Sequence, residues 1–156
     1  MSLEVMEMPD NLAITRQAMN TPAQRMLDVV GRKMLECPQI ECPLKHEFTP
    51  GLYIRTIWMP ATKEGTLVLS KIHKTEHPYF ITKGSASVWI EGQGWKLLRA
   101  PFRGITKPGT RRILFIHEDC VWTTIHATNK TNVDEIERDV IFDPDQDVAV
   151  EMKGTL

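Results

Sequence analysis

Between residues 52 and 128 the chain is a succession of short runs rich in β-branched and aromatic residues, each closed by turn-forming residues. The runs read as Leu52 to Met59, Thr66 to His73, Tyr79 to Thr82, Ser85 to Ile90, Trp95 to Ala100, Gly104 to Thr106, Arg112 to His117 and Val121 to Thr128. Pro60 to Gly65, Lys83-Gly84, Glu91 to Gly94, Lys107 to Thr110 and Glu118-Asp119 separate them. Short strands at such spacing predict an antiparallel sandwich or barrel, since closing the sheet removes its exposed edges. The sharpest corner is expected at Pro108-Gly109, where proline presets the first turn position and glycine accepts the positive φ that a type II turn requires next.

The barrel is expected over residues 44 to 150, with residues 1 to 43 as an N-terminal extension. Within that extension Thr21 to Glu36 reads as an amphipathic helix: Thr21 caps, Pro22 suits the first turn, and Met26, Leu27, Val30, Met34 and Leu35 recur at helical steps. Pro38 and Pro43 then break the backbone. Near the C-terminus Thr131-Asn-Val-Asp134 resembles a capping box opening an acidic segment to Asp139, and Val140 to Phe142 and Val148 to Val150 are candidate edge strands. At 156 residues the chain has the length of one domain. Its 19 basic against 20 acidic residues generate no field that would recruit nucleic acid or an anionic membrane, so neither is an expected partner. No apolar run approaches a membrane span, and the acidic start MSLEVMEMPDN is no secretory segment, so a cytoplasmic location is expected. Cys37, Cys42 and Cys120 lack zinc-clip spacing and are expected to be free thiols.

The segment Lys71-Ile-His73-Lys-Thr-Glu-His77-Pro78 carries the chemistry. In an extended chain alternate side chains share a face, so Lys71, His73 and His77 can point one way while Ile72 points the other, and Pro78 keeps His77 extended. Two imidazoles on one side can approach a common centre and supply nitrogen ligands to a first-row transition metal; equally, they can be solvent-facing or hydrogen-bonded structural groups. Arg111-Arg112 could clamp a carboxylate or phosphate, with at least one of the two expected to be solvated. His117 reads as a turn residue, and Trp58, Trp89, Trp95 and Trp122 as core or interface aromatics. No Ser-His-Asp order, phosphate loop or dinucleotide fingerprint is present, which leaves the barrel interior as the candidate site.

From Gly65 through Asn129 the sequence resembles the cupin core. Counting back from Gly84, the glutamate of the first cupin motif falls on His77, its second histidine on His73 and its first on Lys71; the second motif resembles Lys107-Pro-Gly109-Thr-Arg-Arg112, with Arg112 where the last metal-binding histidine stands. The resemblance implies an antiparallel double-stranded β-helix, that is a jelly-roll barrel, with an N-terminal helix and a short C-terminal extension. His126 lies an even number of steps from Trp122 and Thr124, so His73, His77 and His126 would form a three-nitrogen site for one divalent transition metal (iron, nickel, manganese or zinc), or for none, with Lys71, Arg112 and Trp122 as ligand-binding neighbours. His73-Lys-Thr-Glu-His77 and His117-Glu-Asp with Trp122-Thr-Thr-Ile-His126-Ala-Thr128 are further similar to short cupin-like proteins of tailed bacteriophages, which implies the cytoplasm of a host cell. Three readings follow: a pocket protein binding a metal or a small polar or anionic ligand; a metal-dependent oxygenase, isomerase or lyase using the same histidines; and a metal-free structural or partner-binding phage component. A homodimer is expected, as in many cupins, because the amphipathic helix and four tryptophans offer more apolar surface than a small barrel hides.

Overall fold

The computed structural model describes residues 17–142 and 148–152. Two long strands, β5 (His77–Ile90) and β8 (Ile113–Ala127), pair antiparallel along most of their length and form the spine of an eight-stranded sheet. Each is shared between neighbours. The outer edge of β5 pairs with β7 (Phe102–Thr106) at one end and β6 (Gly94–Arg99) at the other. The outer edge of β8 pairs with β3 (Thr66–Leu69) at one end and β2 (Leu52–Met59) at the other. β1 (Leu44–Thr49) extends the sheet beyond β2, and β10 (Val148–Glu151) extends it beyond β3. Two strands that each serve two sets of partners force the sheet to curl, and the result is a jelly-roll barrel of antiparallel strands. A small second sheet pairs β4 (Ile72–His73) with β9 (Ile141–Phe142).

The long strands correct the expected boundaries. Lys83-Gly84 is not a hairpin turn but a bulge within β5, where the register against β8 shifts. Below the bulge the odd residues His77, Tyr79 and Ile81 are buried; above it Ala86 and Val88 are, so the bulge changes parity and keeps both halves facing the core. Gly84 is obligatory there: its φ is 80° and an added Cβ would lie 2.0 Å from the backbone oxygen of Asp119. Glu118-Asp119 likewise lies inside β8, and His117 sits in mid-strand, exposed on the outer face and 2.6 Å from Ser87 Oγ, rather than in a turn. The Pro108-Gly109 corner is present as read: Thr110 N–H donates to the Lys107 carbonyl and Gly109 has φ of 85°.

Even residues of β8 (Leu114, Ile116, Cys120, Trp122, Thr124, His126) face inward, and with Ile57, Met59, Val68, Tyr79 and Ile81 they build the barrel core. Helix α1 (Pro22–Leu35), capped by Thr21 as read, lies across the outside. It buries Leu27 and Met34 against Leu69 and Val150, each such side chain contributing about 2 kcal/mol. Arg111 Nη1 donates to Asp28 Oδ1 of this helix at 2.7 Å and Arg111 is only 12% exposed, while Arg112 is buried, so neither arginine of the pair is the solvated one expected. Helix α2 (Val133–Val140) is capped by Asn132, whose side chain accepts from Glu135 N–H, one residue later than the expected Thr131. Of the tryptophans, Trp122 is buried, whereas Trp58 and Trp95 are exposed. No disulfide joins the three cysteines, and among the described residues no helix is long and apolar enough to cross a membrane.

Candidate functional site

The alternation of the strands decides what faces the barrel mouth. From β2 come Tyr53, Arg55, Ile57 and Met59; from β8 come Leu114, Trp122, Thr124 and His126; from β3 and the following chain come Val68, Ser70, Lys71 and His73. Arg112 completes the wall, and Ile136, Glu137 and Val140 of α2 with Ile141 of β9 close over it. The cavity, half open to solvent, measures about 70 Å³. At roughly 10–15 Å³ per water it has room for on the order of five waters, the space of a small organic molecule.

Arg112 is the most constrained group in this wall, only 4% exposed. Its backbone is locked to Ser70 in both directions: Arg112 N–H donates to Ser70 Oγ at 2.8 Å, and Ser70 N–H donates to the Arg112 carbonyl at 2.9 Å. The guanidinium carbon lies 4.7 Å from the centre of the Tyr79 ring and 5.5 Å from that of Trp122, two rings stacked on each other at 4.6 Å. Nη2 donates to Thr106 Oγ1 at 3.0 Å, and Nε is buried with no partner among the described residues. No carboxylate pairs with this guanidinium among the described residues. Glu76 pairs with Lys107, both exposed. Burial lowers the Arg112 pKa from its ordinary value.

The three histidines come together. His77 stands between the other two, its ring centre 4.8 Å from that of His73 and 4.3 Å from that of His126. His77 Nδ1 donates to the Thr75 carbonyl at 3.1 Å, which leaves Nε2 as the lone-pair nitrogen; that atom is buried without a partner. His126 Nε2 is 2.9 Å from Thr124 Oγ1, while its Nδ1, like His73 Nδ1, is buried and unpartnered. His77 and His126 are buried and His73 half-buried, and desolvation lowers the pKa of all three. His77 is pushed down to about 4 by desolvation, with Arg112 adding to it; His126 falls to about 3 by desolvation, His77 and Arg55; His73 lies well below its usual value for the same reasons. Tyr53, buried beside His126, is raised to about 12, and its hydroxyl is 2.5 Å from His46 Nδ1.

Of the residues singled out in the sequence, Lys71, His73, Arg112, Trp122 and His126 line one cavity, while His77 packs against both of the lining histidines. Tyr53, Arg55 and Glu137 were not anticipated. The first two share parity with Ile57 and Met59 on β2, a signal the sequence does carry. Glu137 reaches the cavity only through the tertiary placement of α2.

A divalent metal is not matched by these groups. Among the described residues no set of three or more His, Cys, Asp or Glu side chains is arranged to hold a metal ion. A buried guanidinium and Lys71 share the space, and Glu137 is the only acidic residue lining the cavity among those described. A second cation brought beside an unpaired buried one would be strongly unfavourable.

No protein-family model matches the chain, and no curated protein matches it in sequence. Solved structures similar to it include KdgF from Halomonas sp., 13% identical over 65% of this chain and 94% of that one, with a TM-score of 0.47. Ectoine synthase from P. lautus is 10% identical over 67% of this chain and 78% of that one, with a TM-score of 0.48. An RmlC-like cupin family protein with a double-stranded β-helix fold from Methanocaldococcus jannaschii is 13% identical over 56% and 80%, with a TM-score of 0.43. The strand pairing itself defines the fold as an antiparallel jelly roll, with a cavity at the mouth of the barrel.

Proposed function

We propose that this protein binds a small organic anion, a carboxylate in the first instance, inside the barrel mouth, with Arg112 as its anchor. The observation that carries the reading is the Arg112 guanidinium: buried, lining a cavity, and without a carboxylate partner among the described residues. A buried charge of this kind is costly unless something pairs with it. Its planar fork suits two parallel bonds to a carboxylate, and the stacked Tyr79 and Trp122 hold that fork in place. Neutral histidines add polarity without competing for the negative charge.

The test is calorimetric titration of short carboxylates into the wild-type chain and into Arg112→Met, which keeps length and apolarity while removing the charge. Two charge-assisted hydrogen bonds at about 1.5 to 3 kcal/mol each predict a loss of affinity of roughly a hundredfold or more. Carboxylate affinity unchanged in Arg112→Met would overturn the reading. Assembly as a homodimer belongs to the same proposal: Trp95 and Leu97 on β6 and Ile105 on β7 are each more than half exposed, on strands that pair on one side with β5.

A further inference from the structure

Resting on the anion reading, we infer that the ligand also carries an ammonium group, which makes it a short amino acid with its carboxylate toward Arg112 and its amine toward Glu137. Both side chains line the one cavity, Arg112 from the wall and Glu137 from the helix that closes over it. Helix α2 carries four acids, and one of them faces inward. Ile136 and Val140 form its buried stripe, and Glu137 stands half-buried on the flank of that stripe, whereas Asp134, Glu135 and Asp139 are exposed. Asp139 is taken by Lys130; Glu137 makes no hydrogen bond or ion pair among the described residues. Its charge is felt inside the cavity. The pKa of Tyr53, another wall residue, is raised by burial, held back by Arg55 and raised further by Glu137.

A carboxylate accepts hydrogen bonds and cannot donate, so the ligand group that meets Glu137 must be a donor. A second carboxylate at that end would set like charges side by side, whereas an ammonium group brings three donors and the opposite charge. Arg55, Lys71 and Arg112 line the same cavity and oppose a cation. Arg55 and Lys71, however, each hold an interaction of their own, and Arg112 is met by the ligand carboxylate, which leaves Glu137 as the charge facing the far end. Because Glu137 is half-buried and the cavity half open, the ammonium keeps part of its water, and its desolvation does not cancel the pair. Between the two ends the wall is hydrocarbon, formed by Ile57, Met59, Leu114 and Ile136, which suits a few methylenes. A cavity of about 70 Å³ limits the ligand to a small acid and keeps both of its ends close to the walls.

The experiment titrates the full chain with butyrate, 2-aminobutyrate, 3-aminobutyrate, 4-aminobutyrate and succinate. The three isomers move the amine progressively away from the carboxylate, so the tightest of them measures how far Glu137 stands from Arg112. That isomer is expected to bind about fivefold or more tighter than butyrate, and succinate more weakly than butyrate. In Glu137→Gln, which keeps the shape and removes the charge, the isomer should fall to the level of butyrate while butyrate itself changes by less than about threefold. Glu137→Ala repeats the test without an amide. No isomer tighter than butyrate, or an amine preference that survives both substitutions, overturns the inference; if butyrate binding still depends on Arg112, the anion reading stands without it. Failure of all five acids to bind overturns both.

Discussion

Lowering the pH from about 7.5 to about 5 should remove a large part of this protein's stability, and the histidine cluster is the reason. His77 and His126 have folded pKa values of about 4 and about 3 against 6.5 when exposed, and His73 is displaced in the same direction. A group whose folded pKa is depressed stays neutral in the fold while the unfolded chain takes up a proton. Stability is therefore fully present above the unfolded value and is lost as pH falls through 6.5 toward the folded values. At about pH 5, roughly 1.5 units below the unfolded value, each of these histidines costs about 2 kcal/mol. His77 and His126 together remove about 4 kcal/mol, and His73 adds to the loss, a substantial share of the 5 to 15 kcal/mol typical of a domain. Ordinary carboxylates contribute little in this window because most titrate below it. Urea unfolding followed by tryptophan fluorescence at half-unit pH steps measures the effect. His77→Gln should reduce the slope by about one proton, or about 1.4 kcal/mol per pH unit, below pH 6. An unfolding free energy constant to within about 1 kcal/mol over the range would refute the assignment of His77 and His126 as buried neutral imidazoles.

Gly84→Ala combines a left-handed φ of 80° with a Cβ placed 2.0 Å from Asp119 backbone, and should destabilise the fold by about 3 kcal/mol or more, read as a lowered urea midpoint. Elemental analysis of protein purified without a histidine tag should find no stoichiometric iron, nickel, manganese or zinc; a stoichiometric ion lost in His73→Ala would refute the argument from the donor set. Light scattering at tens of micromolar should return twice the chain mass of 17.9 kDa, and Trp95→Glu should shift it toward the monomer.

The extent to which the fold was legible depends on where the period of the sequence is interrupted. Helix α1 could be read to within a residue because its cap, first-turn proline and apolar steps agree, and the Pro108-Gly109 corner because its chemistry is local. The two long strands could not be read as continuous. Lys83-Gly84 has the composition of a turn, yet here the same glycine serves a bulge, which needs positive φ and close approach to a neighbouring backbone just as a turn does. Glu118-Asp119 is polar because it lies opposite that bulge and faces solvent: Arg99 Nη1 and Ser85 Oγ both donate to Glu118 Oε1. Local polarity marks exposure, and only the partner strand distinguishes an exposed mid-strand from a loop.

The site divides along the same line. His126, Trp122 and Thr124 share one face of one strand, so counting by twos places them together, and Lys71 with His73 follows the same rule. Arg112 could be set across from them only through the cupin resemblance, and its chemistry turned on a fact no spacing contains: whether a carboxylate meets it. No carboxylate among the described residues pairs with it, which leaves the guanidinium inside with aromatic faces, a threonine hydroxyl and the cavity. In the anion reading the protein supplies the positive charge through that cation, and the counter-charge comes from the ligand. Arg112→Met therefore bears on stability as well as binding. With no anion present it removes an unpaired buried charge and should leave the fold as stable as wild type or more so, while a loss of several kcal/mol would mark Arg112 as a strut between Thr106 and the Tyr79-Trp122 stack rather than as an anchor.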